Sequence, residues 1–297
     1  MQCTTCEHKA ISLHPQLCAK HFDNFFVQKV KDTIEEHGLC THEDKICVAV
    51  SGGKDSLALL DVLTRLEYPV EGLFIHEGIA NYREASEADL DEFCDKHNIK
   101  VRKVRFEDEA GFTLDEAMHT KKFHSCTLCG TLRRYLLNKY AEGYDVIATG
   151  HNLDDEAQTV MINLARGNTN LFLRQALRTG EKEEFVTKIK PFSFLTEKQI
   201  LTYVVLRQIK VDFAECPYAR QSYRAHLRDI LNTFEQTNPG TKENILASYL
   251  RMKKNLVAPQ GSALRSCKVC GQASQEDTCK ACKLTKEVNA VIEQTSP

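Results

Sequence analysis

No run of eighteen consecutive apolar residues occurs in the 297-residue chain, so nothing in it reads as a helix that crosses a bilayer. The first residues are polar and cysteine-bearing instead of signal-like, and a soluble, cytoplasmic protein with no membrane partner is expected. Charge imbalance is also missing: the formal net charge is -2, so bulk electrostatics name no partner. No internal repeat or low-complexity stretch is present beyond a generic likeness between two cysteine modules, which excludes a repeat array. The spacing Gly-x-x-x-x-Gly-Lys-Ser/Thr is absent too, which excludes the Walker loop of kinases and GTPases.

What is present begins with Ser51-Gly52-Gly53-Lys54-Asp55-Ser56, after the apolar run Ile46 to Val50 and before the helical pattern Leu57, Leu59, Leu60, Val62, Leu63. Strand, glycine turn and helix N-terminus in that order form a phosphate cradle. Gly52 and Gly53 have no Cβ, so the backbone can bend sharply and bring its N–H groups against an anion. The helix that follows adds unpaired amides and the positive end of its dipole. Lys54 supplies a full charge, and Ser51 and Ser56 supply hydroxyl donors. The bland alternative is a glycine turn with a structural role only.

Thirteen cysteines are many for such a chain, and ten of them fall into three sets with ligand-like spacing. Cys3, Cys6, Cys18 and His21 form two close pairs that can grip a tetrahedral zinc ion; His8 and His14 read as loop residues. Cys267, Cys270, Cys279 and Cys282 read as a closed, structural four-cysteine zinc site, with Gly271 allowing the first knuckle to turn. Lys268, Lys280, Lys283 and Lys286 surround it and could touch a nucleic-acid backbone. The middle set is one ligand short: Cys126 and Cys129 open a helical stretch, and Cys216 arrives much later. Three thiolates brought together could hold an iron–sulfur cluster with one iron free for an exogenous ligand. A redox pair at Cys126 and Cys129 is the competing reading, and the residues alone leave both open. Cys40, Cys47 and Cys94 have no partner spacing and read as core thiols.

Apolar runs at 46–50, 70–75, 100–106 and 145–149 alternate with helical patterns near 54–66, 84–97, 128–141 and 153–165. That alternation predicts an α/β fold with a parallel, doubly wound sheet, whose ligands sit beyond the carboxyl ends of the strands. Phe22, Phe25, Phe26, Val30 and Ile34 predict a helix over 22–37 that docks the first cysteine module. At the second strand end, Phe74, Ile75 and His76 are candidates to bind adenine through backbone groups and packing. At the fourth, Gly150 precedes Asp154 and Asp155, candidates for magnesium binding or proton handling; helix capping by Asn152 and the acids is the structural alternative. Helices are expected near 196–209, 221–237 and 242–255, decorated by Arg220, Arg224, Arg228, Lys242, Arg251, Lys253 and Lys254. Residues 200 to 265 carry ten Lys or Arg against five Asp or Glu, a balance suited to a polyanion. Residues 256–266, with Pro259, Gly261 and Ser262, read as a linker. The expected organisation is a zinc finger at 1–24, a catalytic domain at 25–195, its helical continuation at 196–258 and a second zinc finger at 259–297.

The ordered set of motifs resembles the tRNA 2-thiolation enzymes of the TtuA and NcsA type, within the PP-loop ATP pyrophosphatases and related to the eukaryotic cytosolic thiouridylases. The likeness rests on the finger at Cys3, Cys6, Cys18 and His21, the loop at 51 to 56 and the pair Cys126 and Cys129. It extends to Thr-Gly-His-Asn-Leu-Asp-Asp-Glu at 149 to 156, Glu-Cys-Pro-Tyr at 215 to 218, Asn-Pro-Gly-Thr-Lys at 238 to 242 and the last four cysteines. The resemblance implies that Cys126, Cys129 and Cys216 ligate a [4Fe–4S] cluster with one open iron, and that Lys54, Asp55 and Asp155 are catalytic. It implies ATP with Mg2+ on Ser51, Gly52, Gly53, Lys54, Asp55 and Ser56, two zinc ions, tRNA as substrate and a homodimer. Adenylation of a uridine O2, with release of pyrophosphate, would be followed by sulfur transfer from the cluster. The sulfur donor would be a ubiquitin-like thiocarboxylate protein or sulfide. The many Asn, Gln and Cys residues favour wobble uridine 34 over the thermophile target, uridine 54. The alternatives are a persulfide relay without a cluster, and a non-catalytic zinc-finger RNA-binding protein.

Overall fold

Alternation along the strands sets the architecture. In β1 (Ile46–Val50), Ile46, Val48 and Val50 enter one core and Cys47 the opposite one. In β2 (Val70–His76), Phe74 joins the first core, and Leu73 and Ile75 the second. After β3 (Val101–Arg105), β4 (Val146–Thr149) repeats the pattern, with Val146 and Ala148 on the first side and Ile147 on the second. Strands buried on both faces require a layer of helices on each. The computed structural model describes residues 1–180, 185–218, 223–256 and 264–295; Arg220, Pro259, Gly261 and Ser262 lie outside the described residues.

The first layer contains α1 (Ala19–Glu36), α2 (Lys54–Arg65) and α3 (Tyr82–His97). Phe22, Phe26, Val30 and Ile34 of α1 are almost wholly buried, each contributing about 1.5–3 kcal/mol of hydrophobic stabilisation. The opposite face carries α4 (Phe106–Ala110), α5 (Leu114–His119) and α6 (Ser125–Tyr140). Then come α7 (Leu153–Ala165), α8 (Thr169–Arg174), β5 (Arg178–Thr179) and β6 (Thr187–Ile189). Next, α9 (Glu197–Leu206) packs back onto α2, whereas α10 (Tyr223–Thr237) and α11 (Thr241–Lys253) pack on α7. The hairpin of β7 (Arg265–Ser266) and β8 (Ala273–Ser274) precedes α12 (Lys280–Thr295).

The six-stranded sheet has the order β3-β2-β1-β4-β6-β5, parallel throughout except that β5 runs antiparallel at the edge. Strand order reverses between β1 and β4, where the register pairs Ala49 with Thr149. A ligand crevice is expected at such a switch point.

The main helices and strands follow the expected pattern, with ends shifted by a few residues. The third apolar run stops at Arg105 because Phe106 starts a helix whose first turn, Glu107, Asp108 and Glu109, favours its positive end. The helix expected from 128 begins at Ser125, so Cys126 and Cys129 both lie inside it. Beyond the last cysteine module, α12 buries Ala281 and Val288 against the second core. Cys40, Cys47 and Cys94 are buried, which pushes their thiols up to about 12, 12 and 11 and keeps them protonated. Among the described residues no helix is long and apolar enough to cross a membrane.

Candidate active site

The glycine turn after β1 is built for a close approach. Gly52 adopts φ +75°, and a Cβ there would sit 2.2 Å from the Ser86 carbonyl oxygen of α3. Ser56 Oγ donates to Gly53 O at 2.9 Å and accepts the Ser51 amide at 3.0 Å, tying the two ends of the loop together. No side chain caps α2 at Gly53, which leaves its first amides for a ligand. Lys54 Nζ lies 2.9 Å from Asp55 Oδ2 and 2.9 Å from Glu197 Oε1. Burial works against the ammonium charge, but these two carboxylates outweigh it and hold its pKa above the usual lysine value.

The loop after β4 closes on the same place. A Cβ on Gly150 would come within 2.9 Å of the Asp55 backbone, so only glycine fits between the two loops. Asn152 caps α7 through a reciprocal box with Asp155, and its Nδ2 donates to Asp55 Oδ1 at 3.1 Å. The structural and the functional readings of this segment are therefore met by the same side chain. Asp155 stays half-buried at the crevice, its pKa raised by burial, with Arg224 Nη1 3.4 Å from its Oδ1. Asp154 turns away: it pairs with buried Lys242 and accepts the Glu197 amide at 2.9 Å. Glu156 is buried and held by Lys190 at 2.7 Å. Lys242 is thus an internal strut and not part of a basic surface. Lys268 and Lys283 are likewise already paired, with Asp277 and Glu276.

Phe74, Ile75 and His76 are all buried. Arg83 stacks over the Phe74 ring at 4.7 Å and donates to the Ile75 carbonyl at 2.7 Å. His76 Nδ1 accepts the Gly78 amide at 3.1 Å, and burial lowers the imidazole pKa. Arg83 also donates to Ser51 O at 3.0 Å, and its Nε lies 2.5 Å from buried Glu77. The other oxygen of Glu77 is 3.6 Å from Arg133 Nε, and Arg133 lies one turn beyond Cys129 on α6. Charged side chains therefore link Ser51 through Arg83 and Glu77 to Arg133 on α6, the helix that bears Cys129. Sequence reasoning missed Glu197, Arg83, Glu77 and Arg133. The signal for Arg83 was its place on the core-facing stripe of α3 with Ser86, Leu90 and Phe93.

Three clusters of potential metal ligands can be compared by spacing. A zinc ion about 2.3 Å from sulfur and about 2.0–2.1 Å from nitrogen sets tetrahedral edges of about 3.8 Å and about 3.5 Å. Cys6 and Cys18 sulfurs are 3.7 Å apart, and His21 Nδ1 lies 3.3 Å from Cys3 Sγ and 3.5 Å from Cys18 Sγ. Cys270 and Cys279 sulfurs are 3.8 Å apart. In both sets the four ligand atoms lie within 4.8 Å of one another, so each fits a single tetrahedral ion. Backbone amides of Cys279 and Val269 point at Cys267 Sγ; burial opposes its ionisation, but such donors bring its pKa down to about 6.

Cys126, Cys129 and Cys216 behave differently. Cys129 and Cys216 pack against one core, and Cys216 feels the charge of Cys126, so the three share one neighbourhood. Their sulfurs do not all lie within 4.8 Å of one another. That is too open for a single tetrahedral ion, while a multi-iron cluster places each thiolate on a different iron and asks for a wider triangle. Burial, reinforced by Glu77, pushes the Cys129 thiol up to about 11.

A sequence family described as a PP-loop domain matches residues 22–233. The tRNA-5-methyluridine(54) 2-sulfurtransferase of Pyrococcus horikoshii is 36% identical, over 99% of this chain and 98% of its own. The cytoplasmic tRNA 2-thiolation protein 1 of Drosophila melanogaster is 33% identical, over 96% of this chain and 87% of its own. Among solved structures, the U34-tRNA thiolase NcsA from Methanococcus maripaludis, with its [4Fe-4S] cluster, superposes with a TM-score of 0.82 at 31% identity, covering 97% of this chain and 96% of that one.

Proposed function

Because the chain belongs to the PP-loop family of tRNA 2-thiolation enzymes, we propose that it converts a tRNA uridine to 2-thiouridine, with wobble uridine 34 as its target. The uridine O2 attacks the α-phosphate of ATP and displaces pyrophosphate, because a bare carbonyl oxygen is a poor leaving group. Sulfur then replaces AMP at C2. Ser51, Ser56 and the first amides of α2 bind the phosphates, and Lys54 exchanges Asp55 and Glu197 for phosphate oxygens as charge develops. Asp55 and Asp155, joined through Asn152, take the magnesium ion that accompanies ATP.

Cys126, Cys129 and Cys216 are the ligands of the iron–sulfur cluster in this reading. When bound, it would supply an iron with a coordination position free for sulfide. The two tetrahedral sets hold zinc and anchor the ends of the chain. The observation that carries the reading is the link from the phosphate loop through Arg83 and Glu77 to Arg133 on α6, the helix that bears Cys126 and Cys129.

Likeness to a U34 thiolase over nearly the whole chain supports position 34. The 36% identity to an enzyme named for position 54 supports that position as the second reading. Mass spectrometry of tRNA fragments from cells lacking the gene, complemented with wild type or Lys54→Ala, separates them. Position 34 loses its sulfur in the deletion and regains it only with wild type; restoration at 54 instead would move the target, and no change at either would reject thiolation. Offering a thiocarboxylated ubiquitin-like protein or sulfide to the purified enzyme identifies the donor.

A further inference from the structure

We infer that Glu77 is a positioning residue that fixes the phosphate loop relative to the three-cysteine centre, acting through Arg83 on one side and Arg133 on the other. The inference rests on the thiolation reading above. Glu77 follows the last residue of β2, at the carboxyl edge where both centres lie, and its side chain is 3% exposed. Its two oxygens are divided: Oε2 lies 2.5 Å from Arg83 Nε and Oε1 lies 3.6 Å from Arg133 Nε. Arg83 spends its remaining donors on the carbonyls of Ser51 and Ile75, at the ends of neighbouring strands. Arg133 lies on α6, one turn beyond Cys129, so Glu77 reaches the helix that carries that cysteine.

Stability alone does not account for this arrangement. A buried carboxylate between guanidinium groups must overcome the desolvation of every charge, and apolar side chains of similar volume commonly do as well. What the charged run provides is direction. The planar guanidinium of Arg83 donates to the Ser51 and Ile75 carbonyls while Glu77 lies beside its Nε as an ion pair, an arrangement a lysine cannot reproduce. Gly52 rests against Ser86 of the same helix, so α3 meets the loop at two points.

Glu77→Gln preserves shape and removes the charge, whereas Arg83→Lys preserves charge and removes the fork. Holoprotein of wild type and each variant, purified anaerobically, is compared by hydrogen exchange and by thiolation kinetics. In Glu77→Gln, amides of the loop at 51–56 and of the first turns of α6 should both exchange at least about fivefold faster, with β1 unchanged. In Arg83→Lys only the loop should loosen. The kcat for thiolation should fall at least about tenfold in both, while KM for ATP moves by less than about threefold and iron content is retained. Loosening at only one end in Glu77→Gln, or an unchanged kcat, overturns the inference. Should Glu77→Gln not fold, Arg83→Lys decides: a loop as protected as in wild type refutes the link. If wild type itself makes no 2-thiouridine, the thiolation reading fails, and the exchange data still test the link between loop and α6.

Discussion

Asp154 and Asp155 are adjacent in sequence and serve different ends. Asp154 points inward, paired with Lys242 and with the amide of Glu197, whereas Asp155 faces the crevice and closes the cap with Asn152. Lys242→Met leaves the Asp154 carboxylate buried without its partner, and should cost about 3–5 kcal/mol of stability by urea unfolding. Adding Asp154→Asn should recover much of that loss. Asp155→Asn, which keeps an acceptor for the cap, should leave stability within about 1 kcal/mol, yet lower tRNA-dependent AMP formation at least about a hundredfold. Equal stability losses at the two acids would contradict this division. Neighbours of one chemistry are indistinguishable in sequence, because helix phase and the partner 88 residues away decide their direction. Glu197 was invisible for the same reason: it meets Lys54 only once α9 has folded back onto α2.

At the scale of elements, the sheet and its long helices were legible because strands buried on both faces read as apolar runs and amphipathic helices repeat. The loop at 51 to 56 was legible because close approach demands glycine. Its two glycines are not equivalent. Gly52 has φ +75° and no room beside Ser86, whereas a Cβ on Gly53 meets nothing closer than 3.5 Å. Gly52→Ala should therefore weaken ATP binding at least about tenfold, as strain of about 1–3 kcal/mol predicts. Gly53→Ala should stay within about threefold of wild type by the same titration, since its backbone is unstrained. Equal effects would mean that the turn does not set the cradle. The elements not foreseen, α4, α5, α8, β5, β6, β7 and β8, span two to six residues, too short to show a period. The sixteen-residue α12 was not foreseen either, although Leu284, Val288 and Ile292 recur at helical spacing.

On one sheet the whole molecule carries the glycine loop after β1 and, on α6, Cys126 and Cys129, with a tetrahedral ligand set near each end of the chain. The last of these sets carries α12 onto α5 and α6, the helix that bears Cys126 and Cys129. Purified protein should therefore contain about two zinc ions per chain, as two closed sets require. Replacing Cys279 with Ser should remove one of them and raise hydrogen exchange in α12; an unchanged zinc count would reject that site. The most direct test of the central claim compares wild type with Cys216→Ser, both purified anaerobically, by iron and acid-labile sulfide content and by 2-thiouridine formed in tRNA with ATP. The account predicts a brown wild-type protein that thiolates tRNA, and a folded variant that binds tRNA but has lost iron, sulfide and thiolation together. A colourless wild-type protein that holds only zinc and thiolates tRNA at full rate would contradict it.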